Sequence, residues 1–385
     1  MSRGDPDVVV VGGGPAGSAT ALRLARRGWD VRLLDRARFP RPKPCGECAS
    51  PGAVAAMERL GVLDRVTALG PARLDGWRIL TPGADVTAAF GSGRHGLGVS
   101  RLALDAELLQ IAREAGVCVV EGVRVRRAAP AGRQGDRPSV EVAGESGETT
   151  IRPRLVVGAD GLRSVITRAL GLIARRPRLR KASLTAHVAG SGLPVGRGLL
   201  SVADGVTLGV APLGRGLWNA TLVVAAGPPA AALSADPRGS LQRLLEARLP
   251  TAGAIEIRAG PWASGPFDWP VQRAWAPGVI LAGDAAGYYD PFTGQGMYRA
   301  LRSAELAAEA AHEVLADATS GWGPLSGYDQ QWAGEVRGRR WLQRGVETVM
   351  AHAALRDRLL PVLEASGALD GLVRLTGDLP GPWPA

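Results

Sequence analysis

The chain opens on four consecutive valines, Val8 to Val11, bounded by Asp7 and a glycine turn. A short run of β-branched residues with no polar alternation predicts a strand buried on both faces, over residues 7–11. Residues 15–27 place Ala19, Leu22, Leu24 and Ala25 at helical spacing, and a second apolar strand over 30–34 ends on Asp35. Strand, helix and strand in this order predict one βαβ unit. Further helices are predicted at 51–60 and 102–115, strands at 117–121 and 150–157, and a short helix at 164–170. Residues 72–80 and 85–90 predict paired strands outside this core.

After residue 181 the pattern changes to strands separated by glycine turns, predicted at 183–189, 199–203, 206–211 and 218–224. That is the signature of an antiparallel sheet. A helix at 241–248 and a strand at 255–257 follow. Residues 279–282 return to a buried, parallel-type strand. Residues 294–315 predict a long alanine-rich helix, and the tail from 325 reads as helical, with Trp332 and Trp341 turned inward. The implied class is α/β: a Rossmann-like dinucleotide-binding domain interleaved with an antiparallel β-sheet substrate domain, plus C-terminal helices. The expected division gives 1–70, 97–178 and 277–320 to the nucleotide domain. It gives 71–96 and 179–276 to the substrate domain, and 321–385 to a C-terminal helical segment.

The chemistry starts at Gly12-x-Gly14-x-x-Gly17, which lies between the first strand and the first helix. In that context Gly12 permits the tight turn, Gly14 lets the backbone approach a pyrophosphate, and Gly17 allows helix and strand to pack closely. Pro15 and Ala16 open the helix, whose free N–H groups and partial positive charge face the phosphates. Asp35, at the end of the next strand with Arg36 beside it, is placed to accept the hydroxyls of an adenosine ribose. Gly91-x-Gly93-x-x-Gly96 has the same spacing, but 97–100 looks extended, so it reads as a turn between strands.

Composition narrows the rest. Apolar residues make up 46% of the chain, so it can build a large core. The formal net charge is +10, but the arginines are dispersed along the chain and the only lysines are Lys43 and Lys181. An anionic cofactor or carrier-bound substrate explains this charge better than nucleic acid does. No apolar run is long enough for a transmembrane segment. The N-terminus enters a strand with no secretory leader, so a cytoplasmic protein is expected, with peripheral membrane contact left open. Cys45-x-x-Cys48 follows a proline-rich loop instead of opening a helix, and His95, His187, His312 and His352 are scattered. No metal site is expected, and a redox disulfide is the minor reading of the cysteine pair.

With these residues in place, the chain resembles the FAD-dependent superfamily that includes group A aromatic monooxygenases, geranylgeranyl reductases and flavin halogenases. Gly158-Ala-Asp160-Gly161 looks like that family's DG motif, and Gly283-Asp284-Ala-Ala like its second FAD motif. Ser100-Arg101-x-x-Leu104-Asp105 looks like the segment whose arginine approaches the cofactor phosphates. Lys43-Pro-Cys45-Gly46-Glu47 and Asp290-Pro291-Phe-Thr-Gly294-Gln295-Gly296-Met297 are similar to the reductase branch, whereas Gln295 itself is hydroxylase-like. The resemblance implies that Arg101, Asp160, Asp284, Cys45, Gly46, Gly294, Gln295, Gly296 and Met297 contact FAD. It also makes Cys45 and Pro291 residues of the substrate pocket. Gly294 and Gly296 would leave room for a flat ring, with the positive end of the following helix near its pyrimidine side. The tryptophan motif of the halogenases is missing: Trp262 and Trp269 have the wrong spacing.

The leading expectation is an FAD-dependent monooxygenase that hydroxylates an aromatic or polyketide-like small molecule using NAD(P)H and O2. The alternative is an FAD-dependent C=C reductase or dehydrogenase of the geranylgeranyl reductase type, acting on a lipophilic substrate. A flavin-binding electron carrier without its own turnover is the third reading. Whether electrons come directly from NAD(P)H or through a separate flavin reductase is left open by the sequence.

Overall fold

The computed structural model describes residues 4–377 except 92, 134, 145–146, 179–180, 226, 251 and 291–293. The strands are β1 Val8–Val11, β2 Val31–Asp35, β3 Cys48–Ala49, β4 Ala72–Leu74, β5 Gly76–Thr81, β6 Ala84–Ala89, β7 Gly96–Gly98, β8 Cys118–Glu121, β9 Arg124–Ala129, β10 Ser139–Gly144, β11 Gly147–Ile151, β12 Leu155–Gly158, β13 Lys181–Ala189, β14 Gly198–Ala203, β15 Val206–Gly214, β16 Leu217–Ala225, β17 Glu256–Ser264, β18 Trp275–Ala276 and β19 Val279–Leu281. The helices are α1 Pro15–Ala25, α2 Pro51–Arg59, α3 Leu63–Ala68, α4 Arg101–Glu114, α5 Val165–Ala169, α6 Pro228–Ala235, α7 Pro237–Arg248, α8 Gly296–Ala316, α9 Gly323–Ala351, α10 Ala353–Ala365 and α11 Ala368–Gly377. Two 3-10 turns lie at Gly283–Ala286 and Ala318–Ser320.

The valine run forms the centre of the first sheet, in the order β18-β19-β12-β1-β2-β8. β1 pairs in parallel with β2 (Val8 opposite Val31) and with β12 (Val8 opposite Leu155). Val8, Val9 and Val10 are fully buried, as expected for a strand covered on both faces. α1 lies on this sheet and packs against α4 and α8. The glycine turn makes that packing possible: a Cβ on Gly17 would stand 1.8 Å from the Gly12 carbonyl oxygen, and one on Gly12 would stand 2.4 Å from the Ala159 carbonyl.

The second large sheet runs β17-β13-β16-β15-β14-β5-β6. It is antiparallel except for β5 and β14, which pair in parallel (Trp77 opposite Gly198) because β5 arrives from a distant part of the chain. Its outer strands do not face solvent alone. Ile79, Val86, Ala88 and Val202 pack with Met350, Leu360 and Leu369 of the C-terminal helices, forming a second core. Trp332 is buried as expected, while the Trp341 side chain lies outside the described residues.

Three local differences from the sequence reading have simple causes. The strand expected at 150–157 is two strands, because Pro153 lacks the N–H needed to continue a ladder. β11 before it joins β9 and β10 in a small antiparallel sheet that periodicity did not reveal, since its exposed face is charged. The segment expected at 72–80 splits at Asp75, and β4 pairs with β7 instead of β6. The second glycine-rich segment opens no helix: Gly96 starts β7.

Gly17→Ala places a methyl against backbone that cannot retreat. The expected outcome is a loss of about 2–4 kcal/mol in chemical denaturation. A change within about 0.5 kcal/mol would mean that α1 and β1 are not as closely packed as described.

Candidate functional site

One cavity of about 1500 Å³ runs between the two large sheets. That exceeds the several hundred Å³ usual for a single small ligand and leaves room for two. Gly12, Gly14, Pro15, Ala16, Asp35 and Arg36 line one end. Lys43 to Cys48, Arg101, Asp160 and Asp284 line the middle, and residues of the second sheet and the C-terminal helices line the far end. Gly17 is not part of the wall; its place is in the helix–strand contact.

At the first end, α1 begins at Gly14 with no side-chain cap, so its first N–H groups face the cavity. A Cβ on Gly14 would stand 3.7 Å from an Arg41 guanidinium nitrogen and 3.8 Å from one of Arg101. Two cations therefore converge on a helix N-terminus. They are held there by Asp105, which is fully buried and lies 2.6 Å from Arg101 Nε and 3.1 Å from Arg41 Nη1. Burial works against the Arg101 charge, but Asp105 outweighs it and keeps the guanidinium ionised. Arg41 was not singled out by the sequence reading, since nothing in its proline-rich loop marks it. Asp35 is buried, accepting hydrogen bonds from Gly13 N–H at 2.7 Å and Ala37 N–H at 2.8 Å, which fixes the carboxylate beside the glycine turn. Arg36 is exposed at the rim.

In the middle, the loop bearing Cys45 and Gly46 is tied to the second sheet by Glu47. This residue is 2% exposed and sits at φ 56°, a left-handed conformation that costs a non-glycine residue energy. Its carboxylate compensates with three partners. It accepts from Arg101 N–H at 2.7 Å and from Asn219 Nδ2 at 2.8 Å, and it lies 2.7 Å from His187 Nε2. His187 is buried edge-on to Trp262, with ring centroids 5.2 Å apart. Asn219 Nδ2 also donates to the Cys45 carbonyl at 2.9 Å. Glu47 was quoted only as part of a loop pattern, His187 only as one of four scattered histidines, and Asn219 was missed. They lie on strands far apart in sequence, where a buried polar residue leaves no periodic signal. Cys45 and Cys48 are free thiols, and among the described residues no three His, Cys, Asp or Glu side chains gather as a metal site.

Asp160 points back at its own helix. Ser164 Oγ and the Val165 N–H donate to its two carboxylate oxygens at 2.5 and 2.6 Å, so it caps the first turn of α5 as well as lining the cavity. Burial pushes its carboxyl up, against those hydrogen bonds. Asp284 is different. Burial pushes its carboxyl up, and Lys43, Arg299 and Arg101 offset this only in part. Lys43 opposite it is pulled below the usual lysine range by burial, with Asp284 acting against the shift. This pair faces the cavity from two sides.

Of the segment before α8, Pro291 lies outside the described residues. Gly294, Gly296 and Met297 line the cavity. Gln295 does not: it is buried, and its side-chain oxygen accepts from Gln343 Nε2 of α9 at 3.1 Å, which links α8 to the C-terminal helices. Beyond this point Lys181 Nζ bridges Asp290 at 2.8 Å and Glu347 of α9 at 2.6 Å, and Tyr289 donates its hydroxyl to Glu347 at 2.7 Å. Past that ionic collar much of the wall is apolar, although the buried Arg356 of α10 also belongs to it. Ile79, Leu200 and Val202 of the sheet face Met350, Leu360 and Leu372 of the helices across it.

Comparison with known proteins agrees with this layout. Residues 5–238 match the model of the FAD-binding domain family. A digeranylgeranylglycerophospholipid reductase from Methanopyrus kandleri is 27% identical over 98% of this chain and 99% of its own length. A menaquinone reductase from Mycolicibacterium smegmatis is 32% identical over 79% of this chain and 75% of its own. The crystal structure of a p-nitrophenol 4-monooxygenase from Pseudomonas putida superposes with a TM-score of 0.82 at 21% identity, covering 98% of this chain and 97% of its own, which is a likeness of fold. The chain belongs to the FAD-binding domain family and is an FAD-dependent oxidoreductase.

Two outcomes check this geometry. Glu47→Gln turns one acceptor into a donor facing donors, and the expected loss is about 2–4 kcal/mol in urea denaturation. For Asp284 the raised carboxyl means that ionisation costs folded-state stability. That cost is absent below the ordinary value near ~3.9, grows as pH rises from there toward the raised one, and is constant above it. In FAD-free protein, the stability of Asp284→Asn relative to the parent is therefore expected to increase as pH rises above the ordinary carboxylate value. A difference that does not change with pH would show that Asp284 titrates normally.

Proposed function

We propose that the protein is an FAD-dependent reductase of carbon–carbon double bonds in a long lipophilic substrate of the isoprenoid class. The observation that supports this most is the apolar chamber past the Lys181–Glu347 collar, continuous with the nucleotide end of the same cavity. A small aromatic substrate has no use for a channel lined by Ile79, Leu200, Val202, Met350 and Leu360, whereas each methylene of a long chain buried there gains about 0.8 kcal/mol. Similarity to a digeranylgeranylglycerophospholipid reductase over nearly the full length of both chains, and to a menaquinone reductase over 79% of this one, supports the same choice over hydroxylation, the leading expectation from sequence.

The residues present fit FAD. The α1 N-terminus with Arg41 and Arg101 suits a pyrophosphate. Asp35 beside the glycine turn suits a ribose, and Asp284 suits a ribityl hydroxyl. A Cβ on Gly294 or Gly296 would meet nothing within 4 Å among the described residues, which suits a flat ring, and the N-terminus of α8 lies beside it. When bound and reduced, FAD supplies hydride chemistry. The chain's own work is to fix the cofactor, exclude water with the apolar wall, and present the substrate double bond with a proton source nearby. Cys45 and Cys48 are thiols lining the middle of the cavity, and the Cys45 carbonyl is held by Asn219. NAD(P)H is the proposed transient reductant. The same reading assigns residues 1–70, 97–178 and 277–320 to the cofactor body and 71–96 with 179–276 to the substrate body. The C-terminal helices from 321 then close the chamber.

The test is an anaerobic incubation of the FAD-loaded protein with dithionite or NADPH and a polyprenyl lipid, read by mass spectrometry. The expected product gains two hydrogens per reduced bond without oxygen. An absolute need for O2, with a hydroxylated product, would restore the monooxygenase reading. Arg41→Ala with Arg101→Ala is expected to weaken FAD binding by about a hundredfold or more, read by flavin fluorescence titration.

A further inference from the structure

The α10–α11 hairpin is apolar on both of its faces. Its inner face closes the chamber, with Leu360, Leu369 and Leu372 in the wall. Its outer face carries Leu355, Val362 and Leu375, exposed by 50%, 63% and 51%. On α10, Leu355, Arg358, Leu359 and Val362 follow one another at helical spacing, so they form a single outward stripe with an arginine in it. Charge on the hairpin is sorted. Its acidic side chains turn toward the protein: Glu364 accepts from Thr87 N–H at 2.7 Å, Asp370 from Ala89 N–H at 2.8 Å, and Asp357 from the Thr81 side chain. Arg358 and Arg374 stay exposed. An outward face of leucine, valine and arginine, with every acid of the hairpin committed inward, has the make-up of a helix that lies in a lipid–water interface.

We propose that this outer face seats the protein on a bilayer surface bearing anionic lipid, with the chamber directly behind the docked helices. The charge fits that occupant: the chain as a whole is +10, and the exposed guanidinium groups lie among the apolar side chains that would enter the headgroup layer. The inference rests on the lipophilic-substrate reading, because the chamber's own wall is the inner face of the docking element. A substrate chain could then pass from the lipid into the cavity past one layer of helix.

The experiment uses the full-length, FAD-loaded protein with vesicles of phosphatidylcholine alone or with phosphatidylglycerol, read by co-sedimentation. Binding is expected to the anionic vesicles and to fall as salt rises. Leu355→Glu with Val362→Glu, and separately Arg358→Glu, are expected to weaken it by about tenfold or more. Both variants should keep FAD content and melting temperature. Val195→Glu, which changes an exposed valine in the loop before β14, should leave binding unchanged. No binding by the parent protein would overturn the proposal, as would equal losses from Val195→Glu. So would a self-associated parent, seen by light scattering, that Leu355→Glu with Val362→Glu turns into monomer. Turnover of a short, detergent-free isoprenoid separates the two readings. Docking variants that keep it but lose turnover of vesicle-embedded lipid support the surface. A parent that binds vesicles but reduces no double bond would remove the proposed function and leave the docking face standing.

Discussion

A single buried carboxylate holds the two halves of this molecule in register. Glu47 belongs to the loop between the βαβ unit and α2, yet its partners are the first N–H of α4 and two side chains of the second sheet. A charge this deep is tolerated only when every lone pair finds a donor. Satisfying it therefore fixes three elements at once: the cysteine loop, the helix that carries Arg101, and strands β13 and β16. The unfavourable backbone angle at Glu47 fits the same logic, because a strained conformation persists only where its surroundings over-determine it. The cavity lies between the parts so joined, and its width depends on that knot.

Electrostatics inside the cavity is graded along its length. The nucleotide end is positive, with two arginines and a helix N-terminus steadied by Asp105. The middle holds the opposed pair Lys43 and Asp284, whose burial drives both toward neutrality. The Lys181–Asp290–Glu347 collar lines the same cavity before its largely apolar far end. An anionic dinucleotide and an uncharged chain would each find the end that suits it, and neither would be stable in the other's place.

Sequence patterns exposed the first half well because its rules are local. Four valines, a glycine turn and an acid at the end of the next strand lie within the first thirty-five residues, and each has one mechanical reason to be there. The second half was legible as strands but not as a binding chamber, since periodicity says which side chains turn inward and not whether they meet. Glu47, His187 and Asn219 converge from three separate segments, and Arg41 meets Asp105 of α4 across the chain, so no window of the sequence contains either arrangement. Gln295 shows the reverse limit. A residue type that resembled a ring contact turns away from the cavity to bond with Gln343 of α9, a partner that only the folded chain supplies. The cofactor motifs do not choose between hydroxylation and reduction, because they are shared across chemistries; the proposed reductase reading rests on the apolar wall instead.

The most direct measurement is the rate at which polyprenyl lipids of increasing length reoxidise the reduced, FAD-loaded protein under strict anaerobiosis, followed by flavin absorbance. If one cavity holds the flavin at its arginine end and a long chain beneath α10 and α11, reoxidation should need no oxygen. Apparent affinity should then rise with each isoprene unit until the chamber is filled, and Leu372→Trp should cut that rise short. Reoxidation by oxygen alone, indifferent to chain length and to Leu372→Trp, would contradict it.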